Sequence, residues 1–182
     1  MGFALAEACA ERGAEVTLVA GPVSLKTHHP AIKRIDVESA GEMYQAAITA
    51  FPSSDAAILC AAVADYRPEN ASEQKIKRET EGEMTLHLVP NPDIAASLGA
   101  IKREGQVMVG FALETNDEAT HAEGKLKRKN LDFIVLNSLR DQGAGFRCDT
   151  NKITIIDNAG GVTSYPVSYT HLRAHETEAD LV

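Results

Sequence analysis

The 182-residue sequence has no tryptophan, few cysteines and no long apolar run. Cys9, Cys60 and Cys148 are far apart and form no Cys-x-x-Cys pair, which argues against a disulfide framework and against a zinc site. No apolar stretch approaches the roughly 20 residues that cross a bilayer, and the N-terminus has no signal-peptide pattern. These absences predict a cytoplasmic protein that does not associate with membranes.

Positive charge is also scarce. The 18 lysines and arginines are outnumbered by 26 acidic residues, which gives a formal net charge of −8, and aromatic residues make up only 5% of the chain. This balance argues against nucleic-acid binding. Two basic clusters, residues 75–78 and 125–129, stand out against it. A compact anion such as a phosphate chain would explain both, although each cluster taken alone is better explained as a solvated helix face.

Apolar periodicity divides the chain into alternating helices and strands. Helices are predicted at residues 3–12, 39–51, 93–102 and 117–129, strands at 15–21, 55–63, 84–89, 106–113 and 132–137, and a late β-hairpin at 152–157 and 162–166. The apolar run 55–63 is typical of a central parallel strand that is covered on both faces. The alternation predicts an α/β fold of the Rossmann-like type, with a mainly parallel sheet and helices on both faces.

Polar residues collect where the predicted strands end. The segments that follow residues 63, 89 and 113 are rich in Asp, Asn and Lys. Ligands of open α/β sheets bind at the carboxyl ends of the strands, so these segments predict a ligand site. The polar stretch 67–83 is too long for a tight turn, and we interpret it as a mobile flap.

Both ends of the sequence are unusual for this fold. The chain begins inside what should be the first helix, so the first strand and its phosphate-binding turn are expected to be missing. Residues 167–182 show no core-facing period. His171 and His175 are four residues apart, but the tail around them is a poor candidate for a metal site. We therefore predict one domain at residues 1–166 and a non-native tail at 167–182.

Several motifs carry a family resemblance. In chain order they are MGFALA at residues 1–6, AAVADYRP at 61–68, KIKR at 75–78, VPNPDI at 89–94, GFALET at 110–115, and KLKRK at 125–129 followed by DFIVLN at 132–137. Each motif alone is weak, but their order and spacing resemble phosphopantothenate–cysteine ligase. This ligase is the C-terminal domain of the bacterial bifunctional phosphopantothenoylcysteine decarboxylase/synthetase, and the resemblance covers residues 1–166.

The resemblance implies a ligation reaction in coenzyme A biosynthesis. CTP, with Mg²⁺ or Mn²⁺, activates the carboxylate of 4'-phosphopantothenate to an acyl-cytidylate, and the amine of L-cysteine then displaces CMP. Lysines, a divalent cation and backbone N–H groups must offset the repulsion between the anions. The resemblance also implies a homodimer and a flavin-dependent decarboxylase domain in the full-length parent, whereas no FMN is expected in this chain.

The same resemblance assigns the site residues. Lys75 is the predicted catalytic residue, because it would neutralise the triphosphate as diphosphate leaves. Asp65 would bind the nucleotide or its metal ion, and Phe111 would pack on the cytosine. The other predicted nucleotide-binding residues are Ala61, Ala62, Asn91, Pro92, Asp93, Ile94, Lys125 and Lys129. Structural alternatives remain open, namely a turn residue for Asp65, a helix cap for Asp93 and core packing for Phe111.

The sequence also departs from the family pattern. An asparagine and a Ser-Ser-Gly-Lys turn are expected before Met1, and a helix is expected after Pro166. We therefore expect this chain alone to bind CTP weakly at best and not to complete ligation, and CTP over ATP rests on the resemblance alone. Two other function classes stay open. A non-catalytic nucleotide-binding or assembly module would use the same fold, whereas an NAD(P)-dependent reductase would need a G-x-G-x-x-G motif that is absent here.

Overall fold

The computed structural model describes residues 1–70, 72, 74, 85–114, 118–138 and 150–168. The described helices are α1 (Gly2–Glu11), α2 (Ala40–Ala50), α3 (Ile94–Ile101) and α4 (Glu118–Arg128), with a short 3-10 turn at Phe51–Ser53. The described strands are β1 (Val16–Ala20), β2 (Ile32–Asp36), β3 (Ala56–Leu59), β4 (Tyr66–Pro68), β5 (Leu88–Pro90), β6 (Val107–Glu114), β7 (Phe133–Ser138), β8 (Thr150–Asp157) and β9 (Val162–Ser168). None of the helices in this part of the chain is long and apolar enough to cross a bilayer.

The main sheet has five strands in the order β3-β6-β7-β8-β9. Strands β3, β6 and β7 run parallel, and β8 and β9 form an antiparallel hairpin beside them. The predicted α/β fold with parallel strands and a late hairpin is therefore confirmed. Strand β9 continues to Ser168, two residues beyond the predicted domain boundary. The rest of the predicted tail lies outside the described residues.

Two smaller strand pairs accompany the main sheet. Strands β1 and β2 pair in parallel, and β4 and β5 pair antiparallel. The prediction of a central strand at residues 55–63 is wrong, because β3 covers only Ala56–Leu59 and lies at an edge of the main sheet. Its Ile58 is 41% exposed. An apolar run alone does not distinguish a central strand from an edge strand.

One face of the main sheet carries the core. The buried cluster comprises Phe51, Leu98, Met108, Ala122, Leu126, Leu131, Ile134, Leu136 and Ile156. Side chains alternate between the two faces of a strand, so Met108 and Ile134 point toward α3 and α4 while their neighbours point away. The opposite face carries an open groove lined in part by Val109, Phe133 and Tyr165.

Local capping explains where the helices begin. Ser39 caps α2, because its hydroxyl accepts a hydrogen bond from the Glu42 amide at 3.2 Å, while the Glu42 carboxylate accepts one from the Glu38 amide at 2.7 Å. Asp93 caps α3 by accepting a hydrogen bond from the Ala96 amide at 3.0 Å. The Asp93 cap determines where α3 begins. The candidate site lies at this helix N-terminus.

Candidate functional site

The segment after β3 is the first part of the site. Ala61, Ala62 and Asp65 are all exposed there. The short alanine side chains leave their backbone groups accessible to a ligand. Asp65 leads directly into β4, and its carbonyl accepts a hydrogen bond from the Asn91 amide at 2.8 Å. The segment that follows β3 is thus hydrogen-bonded to the segment that precedes α3.

Asn91 is the centre of this connection. Its side-chain amide donates to the Ala64 carbonyl at 2.8 Å, and its Oδ1 accepts from the Arg67 guanidinium at 3.1 Å. The same guanidinium nitrogen donates to the Pro90 carbonyl at 2.8 Å. The motifs at residues 61–68 and 89–94, which were predicted to act together, are therefore in direct contact.

Asp93 and Lys129 form the charged part of the site. The ammonium of Lys129 lies 3.0 Å from Oδ2 of Asp93, and the Lys129 side chain is 22% exposed. Burial raises the pKa of Asp93, but the Ala96 amide, the Lys129 ammonium and the charge of Arg128 lower it, and the net pKa is below its ordinary value. The helix-cap alternative for Asp93 holds, and the ion pair adds a second role.

Lys125 lies one helical turn before Lys129 on α4 and is partly buried. The Lys129 amide donates to the Lys125 carbonyl at 3.0 Å. Basic residues in the last turn of a helix also interact favourably with the helix dipole, so part of this cluster has a structural explanation. Lys129 brings positive charge to the N-terminus of α3, and the nucleotide contacts of both lysines stay predictions.

The structure does not bring Phe111 to the same place. Met108 and Ala112 of β6 face the core cluster, so Phe111 points to the opposite face with Val109. It is partly buried there and pairs with Val135 in the strand register. Its contact with a base stays a prediction. Lys75 and Lys77 lie outside the described residues.

Pro92 and Ile94 complete the predicted set at the start of α3. Pro92 is exposed, whereas Ile94 packs against the core cluster. Within the described part of the chain, no group of three or more His, Cys, Asp or Glu residues is placed to hold a metal ion. A single exposed carboxylate such as Asp65 still suits Mg²⁺, which is commonly held by one or two carboxylates together with substrate phosphates.

Three residues of this region were missed as contributors. Arg67 lies within the motif at residues 61–68, but the sequence assigns it no role. Its hydrogen-bond partners, Pro90 and Asn91, are more than 20 residues away in the sequence, so no local pattern indicates these contacts. Gly99 and Asn130 connect α3 with the end of α4. An Asn directly after a lysine-rich helical segment is a recognisable signal for a helix C-terminus, and it could have been used.

The chain is similar to a known protein family and to several curated proteins. Residues 1–177 match the family described as the DNA/pantothenate metabolism flavoprotein C-terminal domain. A curated protein from an unknown prokaryotic organism, named cysteine/cysteine sulfinic acid decarboxylase, is 57% identical over 165 residues, which cover 91% of this chain and 46% of that protein. The coenzyme A biosynthesis bifunctional protein CoaBC of Vibrio parahaemolyticus is 50% identical over 156 residues, which cover 85% of this chain and 39% of that protein.

A solved structure is similar over nearly the whole chain. The crystal structure of the C-terminal domain of a CoaBC protein aligns with a TM-score of 0.72 at 35% identity, covering 97% of this chain and 80% of that one. The chain spans less than half the length of the two curated relatives. The resemblance found in the motifs is confirmed at the level of the family: the chain belongs to the DNA/pantothenate metabolism flavoprotein C-terminal domain family.

Proposed function

We propose that this protein is the phosphopantothenate–cysteine ligase domain of a coenzyme A biosynthesis protein, and that it uses CTP. The observation that carries the proposal is the meeting of three distant segments at one point. Residues 61–65, residues 91–93 and Lys129 are joined there by hydrogen bonds and an ion pair. These are the segments that hold most of the predicted nucleotide-binding residues, and relatives of this family include CoaBC proteins.

The electrostatics of this point suit a polyphosphate. The N-terminus of α3 presents backbone amides and the positive end of the helix dipole. The carboxylate of Asp93 would repel an anion there, but the adjacent ammonium of Lys129 neutralises it. Lys125 and Arg128 add positive charge on the same helix. We therefore place the phosphates of CTP between Lys129 and the segment at residues 61–65.

The proposed reaction has two steps. A carboxylate oxygen of 4'-phosphopantothenate attacks the α-phosphorus of CTP, the bond between the α- and β-phosphates breaks, and diphosphate leaves. The amine of L-cysteine then attacks the acyl carbon, and CMP leaves as the amide forms. Asp65 would hold Mg²⁺ or Mn²⁺ together with the phosphates, and the ion would supply positive charge that offsets theirs. Lys75 is assigned to the charge that develops on the leaving diphosphate.

Asn91 has a more specific role in this proposal than contact with the nucleotide. Both ends of its amide are engaged, with Ala64 and with Arg67. It therefore holds the backbone of residues 61–65 in a fixed shape. That backbone, which is bordered by small side chains, is then preorganised to recognise the base or the phosphates through its own N–H and C=O groups.

Binding tests separate this proposal from the reductase alternative. CTP with Mg²⁺ should raise the melting temperature of the chain, whereas NADPH should not, because only a ligand of the native state stabilises it. The melting-temperature shift with ATP, compared with the shift with CTP, measures the selectivity for the base. A shift with NADPH and none with CTP would refute the ligase assignment. Strong ligation by the isolated chain would contradict our expectation that this chain alone does not complete the reaction.

Turnover is best tested in a chimera. Residues 1–166 replace the matching segment of the Vibrio parahaemolyticus CoaBC protein, and diphosphate release is measured with 4'-phosphopantothenate and L-cysteine. We expect activity in the chimera and a loss of about 100-fold or more for Lys75→Gln. Lys33→Gln is the matched control, because Lys33 is an exposed lysine on β2. A chimera that folds and binds CTP without turnover would favour a non-catalytic module.

We also propose a homodimer in the cytoplasm. The open face of the main sheet supports self-association, because its groove is lined by Val109, Phe133 and Tyr165. In a two-fold dimer each subunit contributes the same surface, so this face would pack against its own copy. Light scattering should give twice the 19.5 kDa chain mass. Tyr165→Asp should give the monomer, whereas Val162→Asp, on the other face of β9, should not.

A further inference from the structure

The end of α4 has an ordered backbone arrangement. The Leu131 amide donates to the Leu126 carbonyl at 3.0 Å, and the Asn130 amide donates to the Lys127 carbonyl at 3.4 Å. Asn130 has φ of 52°, in the left-handed region. These features define a Schellman motif with Asn130 at the position that glycine or asparagine occupies. The last helical turn and Lys129 are therefore held in one conformation.

This helix end rests directly on α3. The side-chain amide of Asn130 donates to the Gly99 carbonyl at 3.0 Å. Gly99 is buried, and a Cβ there would overlap the Lys129 carbonyl oxygen and lie 2.8 Å from its carbonyl carbon. Lys102 adds a hydrogen bond from its ammonium to the Asn130 carbonyl at 3.2 Å. The two helices thus touch backbone to backbone.

The close contact between α3 and the end of α4 determines the position of the Lys129 ammonium. Asp93 precedes Gly99 by six residues, roughly 9 Å along the helix axis at 1.5 Å per residue. Lys129 contacts α3 at two points, because its carbonyl lies against Gly99 and its ammonium lies 3.0 Å from Oδ2 of Asp93. A larger separation of α3 from the end of α4 would move the Lys129 backbone, and with it the ammonium, away from the N-terminus of α3.

We propose that Gly99 and Asn130 are positioning residues that hold Lys129 at the N-terminus of α3, and so at the nucleotide phosphates. This inference rests on the proposed nucleotide site. Neither residue touches the ligand in this proposal. Gly99 permits the close approach by lacking a side chain, and Asn130 fixes it by combining a left-handed backbone with a hydrogen bond to α3.

Two variants test this on the chain itself. Gly99→Ala pushes the end of α4 away from α3. Asn130→Gly keeps the left-handed backbone and deletes only the bond to Gly99, so it should remain folded if Gly99→Ala does not. Gly124→Ala is the matched control, because it lies on α4 and a Cβ there meets nothing within 4 Å. Lys129→Met removes the ammonium completely and is the reference with which the other variants are compared.

The first measurement is the Kd for CTP with Mg²⁺. We expect Lys129→Met and Gly99→Ala each to weaken binding by about tenfold, Asn130→Gly by roughly threefold, and Gly124→Ala not at all. Gly99→Ala should have no further effect in the Lys129→Met background, because both act through the same ammonium. Full additivity of the two changes, or unchanged affinity in Gly99→Ala and Asn130→Gly, would overturn the proposal.

The second measurement needs no nucleotide. The carboxyl pKa of Asp93, followed by NMR, should rise in Gly99→Ala and Asn130→Gly toward the value in Lys129→Met. It should stay constant in Gly124→Ala. If neither the chain nor the chimera bound CTP, the proposed function would fail, while a rise in this pKa would still support the positioning of Lys129. An unchanged pKa in both variants would overturn the positioning itself.

Discussion

The pair formed by Lys102 and Asp132 should be one of the strongest single contributions to stability. Its ammonium and carboxylate lie 2.6 Å apart, with side chains that are 11% and 21% exposed. The same Oδ2 accepts from the Met108 amide at 2.7 Å, and Oδ1 accepts from the Asn158 side chain at 3.3 Å. Asp132 therefore joins α3, β6, β7 and the turn of the β8–β9 hairpin through one carboxylate.

Removing the carboxylate should cost more than removing the ammonium. Asp132→Ala leaves the Met108 amide without a partner and leaves the nearly buried Lys102 ammonium with the Asn130 carbonyl but no counter-charge, and we expect about 3 kcal/mol of lost stability. Lys102→Met leaves the carboxylate with two donors, and we expect about 1.5 kcal/mol. The double variant should show a coupling energy of about 1–2 kcal/mol, because each change removes the same interaction.

Urea unfolding followed by far-UV circular dichroism measures these differences, since the chain has no tryptophan for fluorescence. The melting temperature of Asp132→Ala should fall by roughly 6–12 °C, at about 2–4 °C per kcal/mol for a domain of this size. Lys33→Met, an exposed lysine on β2, should stay within about 0.5 kcal/mol of the parent. A coupling energy below about 0.3 kcal/mol would show that the contact is not formed in solution.

Two further predictions concern buried and charged groups. Gln106 is buried, donates to the Phe51 and Ser54 carbonyls at 3.0 and 2.6 Å, and accepts from the Arg103 amide at 2.8 Å. Gln106→Leu removes the Gln106 partner of the Ser54 carbonyl and of the Arg103 amide, and it removes one of the two hydrogen bonds to the Phe51 carbonyl, which also accepts from the Ser54 amide. This should cost about 2–4 kcal/mol in urea unfolding, and a loss below about 1 kcal/mol would contradict the geometry. The folded pKa of Asp93 lies below its ordinary value of 3.8, so its ionised form stabilises the fold above that pH and the contribution disappears as pH falls further. Asp93→Asn keeps a capping side chain and should flatten the acid side of the stability profile, whereas Asp93→Ala should also lose about 1 kcal/mol at pH 7 from the missing cap.

Local signals predicted the helices well. The helix predicted at residues 39–51 forms at Ala40–Ala50, because Ser39 and Glu42 build its N-terminus from neighbouring residues. The helix predicted at 93–102 likewise begins after Asp93. Such caps depend on side chains within four positions of the helix end, which a single sequence contains in full.

Strands that depend on distant partners were missed. Strand β2, Ile32–Asp36, carries Lys33 and Arg34 between its apolar residues and shows only weak alternation. Strand β4 is the three-residue segment Tyr66–Pro68, which would not be assigned as a strand without its pairing to β5. Their formation is decided by partners elsewhere in the chain, and the residues themselves do not encode it locally.

The same distinction applies to the candidate site. The motifs named the residues of the loop at 61–65, the start of α3 and the end of α4. They did not indicate that Asn91 binds the backbone of Ala64 or that Lys129 pairs with Asp93, because these contacts connect positions 27 and 36 residues apart. For Phe111 the motifs predicted the strand correctly, but they did not indicate which face of the sheet its side chain lies on.

The β4–β5 ribbon has a consequence for how this protein tolerates changes in length. Its ladder pairs Tyr66 with Pro90, and the Glu69 amide continues it by donating to the His87 carbonyl at 2.9 Å. The register of Asp65 against Asn91 is therefore set by a few backbone hydrogen bonds. Residues inserted between positions 70 and 86 lie outside this ladder and would leave the register intact, whereas a deletion that included Lys75 would remove the predicted catalytic residue.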